Sequence, residues 1–140
     1  MKVAVSASGA SLDSPIDPRF GRCPYFIIVD TETMKFEAVQ NMSQYAPMGA
    51  GIQAAQTVAS KGVEAVITGN IGPNAYQALM AAGIKIIIGA AGTVRETIER
   101  YKRGELKAVG EPTVPSHFGM GYGMGRGMGR GRGRGRRWSL

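Results

Sequence analysis

The chain has one cysteine, and two arginines lie close to it. In the stretch DPRFGRCPYFIIVD, Arg19 and Arg22 bracket a Phe-Gly step, and Cys23 follows directly. Guanidinium groups stay protonated and bind anions through several N–H donors. The charge of Arg22 and nearby helix N-termini would lower the pKa of Cys23 and favour a thiolate, which suits iron–sulfur and copper(I) centres. Three interpretations of Cys23 stay open: a packed core cysteine, a soft-metal ligand, or a redox-sensitive bystander.

Glycine-rich loops precede three predicted helices: GAG at 49–51, GNIG at 69–72 and GAAG at 89–92. Helix N-termini carry free N–H groups and a partial positive charge, and glycine lets a ligand approach the backbone closely. Such loops are also common simply because tight turns need glycine. With the arginine loop they predict an anion site at the carboxyl edge of a sheet. The candidate binding residues are Arg19, Phe20, Gly21, Arg22, Cys23, Gly49, Ala50, Gly51, Gly69, Asn70, Gly72, Gly89 and Gly92.

Ordinary enzyme chemistry is hard to place on this sequence. No G-x-x-x-x-G-K-[ST] phosphate loop occurs, and GAGIQA, which matches G-x-G-x-x-A, is far from the preceding strand. His117 is the only histidine, so Cys23 has no base nearby in sequence, and no His/Cys spacing indicates structural zinc. The three aspartates do not predict a two-metal hydrolytic centre. We therefore expect a binding protein and not an enzyme.

The elements that would position this site follow a β-β-β-α-β-α-β-α order. Apolar runs predict strands at 2–7, 25–30, 35–41, 64–68 and 84–88, the second and third joined as a hairpin. A helix after GAG would bury Ile52, Ala55 and Ala59; one begins near Pro73, and a third opens with a Thr93–Glu96 capping box. An α/β sandwich with a mixed five-stranded sheet satisfies this order.

The basic charge belongs to one end of the chain. The net charge is +7, but residues 118–140 hold six arginines and no acid, whereas residues 1–117 hold 11 Lys and Arg against 10 Asp and Glu. The Gly/Met/Arg-rich composition of 109–140 predicts a flexible tail after a folded domain at 1–108. Its arginines, with Phe118, Tyr122 and Trp138, suit weak nucleic-acid binding.

The tail also contains possible soft-metal ligands. Met120, Met124 and Met128 recur every four residues beside His117, and thioethers bind copper(I). Low-complexity drift explains the same pattern without any metal. No apolar run approaches the roughly 18 residues of a membrane span. With a single cysteine and no apparent secretory signal, a cytoplasmic location is expected.

Four stretches resemble the dinitrogenase iron–molybdenum cofactor biosynthesis family, which includes NifX, NafY and the C-terminal part of NifB. They are DPRFGRCPYF, GAGIQAA, VITGNIGPNAYQALMAAGIKI and GTVRETIERYKRGEL, in order over about residues 1–108. The resemblance implies a ribonuclease-H-like three-layer α/β/α sandwich. It also implies binding or carriage of an anionic metal–sulfur cluster, with iron and molybdenum or molybdenum and copper, exchanged with donor and acceptor proteins.

One position departs from the family pattern. Members that handle the cofactor typically carry a metal-ligating His before the Phe-Gly step, where this chain has Arg19. A guanidinium cannot donate a lone pair to a metal, although it forks well onto anionic sulfur or oxygen. Charge-assisted anchoring by Arg19 and Arg22 is therefore the role that carries over. A regulatory or adaptor module with an empty crevice is a further alternative.

Overall fold

The computed structural model describes residues 1–106 and residue 108. Within them, five strands and three α-helices follow the predicted order. The predicted tail at 109–140, with its nucleic-acid and metal-ligand candidates, lies outside the described residues. The elements are β1 (Lys2–Ala7), β2 (Tyr25–Asp30), β3 (Phe36–Gln40), a 3₁₀ helix (Met42–Tyr45), α1 (Ala50–Ala59), β4 (Ala65–Ile67), α2 (Pro73–Ala81), β5 (Lys85–Ile87) and α3 (Val94–Lys102).

The strands form one mixed sheet in the order β3-β2-β1-β4-β5. β2 and β3 form the expected antiparallel hairpin, β1 is antiparallel to β2, and β1, β4 and β5 run parallel. The carboxyl ends of the three parallel strands therefore meet at one edge. Because Ala7 pairs with Tyr25, and Tyr25 with Gln40, the start of β2 and the end of β3 lie at that same edge.

Two hydrophobic clusters cover the two faces of the sheet. Side chains of α1 and α2 share one cluster with Phe26, Ile28 and Val66. α3 shares the other with Val3, Val5 and neighbouring strand residues. The alternation of strand side chains between faces explains this division. The fold is thus a three-layer α/β arrangement around a mixed five-stranded sheet, in agreement with the predicted class.

The buried face of α1 differs from the prediction. Ile52, expected in the core, is 40% exposed, and the helix buries Ala50, Ala54, Ala55 and Val58 instead. α1 packs against α2 through small residues, which lets the two backbones approach closely. Ile52 is the largest apolar residue of the helix, but the core on this face takes small side chains and Val58 instead.

The predicted helix starts agree well with the structure. Pro73 is the first residue of α2, and Thr93 and Glu96 form the expected capping box of α3. The 3₁₀ helix lies in a segment where only a loop was expected, and the side chain of Asn41 caps it by accepting from the N–H of Ser43. None of the helices in the described part of the chain is long and apolar enough to cross a membrane.

Candidate anion-binding site

Three of the predicted segments meet at the carboxyl edge, on the α1–α2 side of the sheet. A Cβ added to Gly21 would lie 3.0 Å from the Cα and N of Gly51, and one added to Gly51 would lie 3.1 Å from Ala75 Cβ. The loop after β4 is joined to the arginine loop because Asn70 N–H donates to Pro18 O at 2.8 Å. The arginine loop and the starts of α1 and α2 are therefore in direct contact, as the sequence predicted.

Arg19 is held by an acid that the sequence reasoning did not assign to the site. Its Nε and Nη2 donate to the Asp17 carboxylate at 3.1 and 2.9 Å, and its backbone N–H donates to Asp17 Oδ1 at 2.9 Å. Asp17 is buried, whereas the Arg19 side chain is 63% exposed. Burial alone would raise the pKa of Asp17, but its hydrogen bonds to Arg19 and the charge of Arg19 outweigh burial and lower it. Arg19 thus adds little net positive charge to the site.

Arg22 instead fastens the arginine loop to the segment after β3. Its Nη1 donates to the carbonyl oxygens of Gln44 and Ala46 at 3.1 and 2.6 Å. None of the carboxylates in the described range forms an ion pair with Arg22. Its positive charge is therefore not cancelled by an acid. Both guanidinium groups already bind the protein, which corrects the expectation of two free anion-binding side chains.

The same loop is fixed by two further side chains that sequence reasoning missed. Asn41 Nδ2 donates to Gly21 O at 3.1 Å and to Cys23 O at 2.8 Å, while Ser43 Oγ donates to Gly21 O at 3.3 Å. At the other end of the loop, Ser6 Oγ donates to the carbonyl oxygen of Asp17 at 2.6 Å. These buried groups hold the backbone of residues 17–23 in place without a bound ligand. No local sequence signal marks Asn41 or Ser43, because their partners are about twenty positions away.

Cys23 lies in the hydrophobic core beneath this loop. It is fully buried, and its Sγ donates to Phe20 O at 3.3 Å. Burial, reinforced by the charge of Asp17, raises the pKa of the Cys23 thiol to about 12. The expectation that Arg22 and helix N-termini would lower this pKa is wrong, because burial of the thiol outweighs the hydrogen bonds to it, including that from Asn41 Nδ2 at 3.8 Å. The geometry favours the packed-core interpretation of Cys23 over the soft-metal ligand.

Phe20 belongs to the same core. It is 2% exposed, and its ring lies 5.2 Å from that of Phe26 between centroids. Phe20 therefore anchors the arginine loop from below, and its side chain is not presented to a guest in solution. Met48, directly before the GAG loop, is 81% exposed.

The helix starts divide the glycine loops into two classes. α1 begins after Gly49 and α2 after Gly72, and neither helix has a side-chain cap. α3 is capped by Thr93, and the Glu96 carboxylate accepts from Thr93 N–H at 2.9 Å. Gly92 lies directly beside that carboxylate. Because a carboxylate repels an anion, the proposal of Gly92 as an anion-binding residue is corrected.

Gly89 is also an unsuitable donor. Its N–H donates to Gly69 O at 3.1 Å, so this backbone group is already used to join the loops after β4 and β5. The candidate site is therefore reduced to the arginine loop, Gly49–Gly51 and Gly69–Gly72. Among residues 1–106 and 108, no group of three or more His, Cys, Asp or Glu could hold a metal ion. The other proposed ligands, His117, Met120 and Met124, lie outside those residues.

Comparison with known proteins identifies the family of this chain. The family model described as dinitrogenase iron–molybdenum cofactor matches residues 1–104. An uncharacterized protein of Methanocaldococcus jannaschii is 31% identical over 110 residues, covering 76% of this chain and 90% of that protein.

Solved structures agree in fold. The apo form of the orange protein from Desulfovibrio gigas superposes with a TM-score of 0.78 at 44% identity, covering 80% of this chain and 95% of that one. A provisional NifB protein from Thermotoga gives a TM-score of 0.68 at 40% identity, covering 76% of this chain and 91% of that one.

Proposed function

Because the chain belongs to the dinitrogenase iron–molybdenum cofactor family, we propose that it is a non-catalytic carrier of an anionic metal–sulfur cluster. The cluster is cargo, received from one protein and passed to another. The observation that carries the proposal is the contact of the arginine loop with two helix starts that lack side-chain caps. We also interpret the strand order and directions as a ribonuclease-H-like topology.

The proposed mode of binding is electrostatic and uses the backbone. Uncapped helix starts offer N–H donors and a partial positive charge to sulfide or oxide ligands on the outside of a cluster. Arg22 adds an unpaired charge from the side of the loop. Cys23 is not required, since a thiol with a pKa of about 12 is protonated at neutral pH. A cargo held by hydrogen bonds and charge can leave without breaking a metal–thiolate bond, which suits transfer.

The metals of the cargo are proposed from the family and its members. Iron with molybdenum follows from the family description, and molybdenum with copper is the alternative set. The relative from Desulfovibrio gigas is named for its colour, and the comparison structure is its apo form. This supports a coloured cargo in the family.

Anaerobic purification followed by elemental analysis and optical spectroscopy tests the proposal. We expect bound molybdenum, iron or copper with visible absorption, or uptake of tetrathiomolybdate, an anionic molybdenum–sulfur complex, by the colourless protein. Colourless protein that takes up neither added metals with sulfide nor tetrathiomolybdate would contradict the carrier function. Such a result would favour the adaptor with an empty crevice.

Two variants separate charge from coordination. Arg22→Gln should weaken tetrathiomolybdate binding by about tenfold, since a unit charge near an anion contributes on the order of 1 to 4 kcal/mol. Arg22→Lys keeps the charge and should retain most of the affinity. The double variant Asp17→Asn, Arg19→Gln removes a neutral pair and serves as a control with unchanged net charge. If Arg22→Gln and the double control variant lost the same affinity for tetrathiomolybdate, a specific role for Arg22 would be contradicted.

A further inference from the structure

A patch of exposed apolar side chains lies next to the candidate site. Met42, Tyr45, Met48 and Ile52 are 69%, 76%, 81% and 40% exposed, and the first three are the most exposed large hydrophobic residues in the described part of the chain. We call these four residues the rim patch. Single exposed hydrophobic residues are normal, but a group of them in one short segment indicates a contact surface.

The 3₁₀-helical part of the rim patch is fastened to the arginine loop. Its backbone is fastened by Arg22, which binds the carbonyls of Gln44 and Ala46, and by the Asn41 cap. Side chains three positions apart eclipse each other on a 3₁₀ helix, so Met42 and Tyr45 lie on one side of it. The 3₁₀ helix also contacts α1, which carries Ile52. An exposed apolar surface, fastened through its 3₁₀ helix, thus lies beside the arginine loop.

The chain itself contains a segment that matches this surface. Residues 118–124 read FGMGYGM, in which every large side chain alternates with glycine. In an extended backbone, alternate side chains point to the same side. If residues 118–124 were extended, Phe118, Met120, Tyr122 and Met124 would share one side, with only glycine on the other.

The point where the described chain ends makes this contact reachable. Ala108 pairs with Ile87, the last residue of edge strand β5, whereas the 3₁₀ helix follows β3 at the opposite side of the same sheet edge. Ala108 lies beyond β5 in the sheet order, so five spacings of about 4.8 Å put these points about 24 Å apart. Nine residues lie between Ala108 and Phe118, and a coil of ten residue steps has a root-mean-square span of about 17 Å and a fully extended reach of about 33 Å, enough for this distance.

We propose that segment 118–124 docks on the rim patch of its own chain. Ordering glycine costs conformational entropy, so the segment would bind weakly as a separate peptide. A short tether that reaches this distance gives an effective concentration up to the millimolar range, which populates even a weak contact. The inference does not depend on the nature of the cargo, or on cargo binding at all.

A single tryptophan placed in the segment tests this docking. The full chain with Trp138→Phe and Tyr122→Trp has its only tryptophan at position 122. We expect its emission to lie at shorter wavelength than in the unfolded chain, and acrylamide quenching to be about halved by docking at half occupancy. Met42→Ser with Met48→Ser should restore full quenching. Met80→Ser is the matched control, because Met80 is 50% exposed on α2 outside the rim patch.

Each outcome decides the proposal. Protection that is independent of protein concentration and is lost with the two rim substitutions supports docking within one chain. Protection that increases with concentration overturns it in favour of a second copy as the occupant. Full quenching in the single-tryptophan protein without rim substitutions also overturns it and indicates that the rim patch binds another protein. Circular dichroism of each variant identifies any loss caused by unfolding, and exchanging Met48 alone, which is 81% exposed, provides a milder second variant.

Discussion

The starts of α1 and α3 look alike in sequence but differ in chemistry. Both helices follow a glycine-containing loop at the carboxyl edge of the sheet. α1 begins after Gly49, whose φ of 73° is left-handed, and no side chain caps it. α3 begins after Thr93, and its first N–H groups already have partners: those of Val94 and Arg95 donate to Ser14 O and Leu12 O, and that of Glu96 donates to Thr93 Oγ1. One start is therefore available to an anion, and the other already holds a carboxylate.

This difference teaches how to rank glycine-rich loops as ligand sites. Glycine permits close approach, but the helix start attracts an anion only if its N–H groups have no partner within the protein. The T-x-x-E pattern after GAAG was visible in the sequence and indicated a capping box. That pattern argues against Gly92 as an anion-binding residue. A capping motif is thus evidence against a ligand at the same helix start.

The largest expected effect concerns Gly69, which follows β4 as Gly89 follows β5. A Cβ at Gly69 would lie 2.6 Å from the Cα and Cβ of Pro18, whereas one at Gly89 would meet nothing within 4 Å. Gly69→Ala should lower the free energy of unfolding by about 3 kcal/mol through overpacking. Gly89→Ala is the control, with a loss of about 1 kcal/mol from its positive φ. Urea denaturation measures both, and equal losses would show that the loop after β4 does not pack on the arginine loop.

The second effect concerns Cys23, which lies beneath the α1 side of the site. Its pKa is about 12 in the folded chain, against 9.0 as the reference for an exposed thiol. Above pH 9 the unfolded chain releases the thiol proton first, so stability falls as pH rises from 9 toward 12. Relative to Cys23→Ser, the protein should lose about 2 kcal/mol between pH 8 and 10.5. Denaturant midpoints at several pH values measure this difference, since other groups titrate in both proteins.

A stability that rises with pH, relative to Cys23→Ser, would change the comparison of the helix starts. If the positive end of α1 acted on Cys23, its pKa would be low, and stability relative to Cys23→Ser would rise with pH up to about 9. Such a rise would also reopen the interpretation of Cys23 as a metal ligand. A fall confirms that burial outweighs any effect of the start of α1 on Cys23.

The third prediction concerns a carboxylate introduced at the start of α1, where it would mimic Glu96 at the start of α3. Gly49 is exposed, a Cβ there meets nothing, and Asn and Asp tolerate left-handed backbone better than other residues. Gly49→Asp should weaken tetrathiomolybdate binding about tenfold relative to Gly49→Asn, because the two differ by one negative charge near the guest. Titration followed by visible absorption measures the affinities. Equal affinities would show that the guest does not lie at the start of α1.

The fold was predictable because its signals are local. The strands at 2–7 and 25–30 agree with the structure residue by residue, since continuous apolar runs bounded by polar turns mark buried strands. Pro73 and the Thr93–Glu96 pair marked two helix starts for the same reason. The face of α1 was not predictable, because only the position of α2 decides that small alanines pack there and Ile52 does not.

The site was predictable in place but not in detail. Topology alone brings the arginine loop and two glycine loops to one edge, and this part followed from the order of elements. The hydrogen-bond partners of Arg22 and Asn41 depend on how distant segments pack, so residue spacing in the sequence does not predict these partners. Asp17 is the exception, since an acid two residues before Arg19 is a local turn signal that the sequence reasoning overlooked.

The smallest expected effect is the loss of the α3 cap. Thr93→Ala removes the oxygen that accepts from Glu96 N–H at 3.2 Å and should lower stability by about 1 kcal/mol, whereas Thr93→Ser should retain most of it. Tetrathiomolybdate binding should not change, because the Glu96 carboxylate still repels an anion from this start. Denaturation and titration on the same samples separate the two effects. Altered affinity in Thr93→Ala would mean that α3 takes part in binding, and the distinction between the two helix starts would then fail.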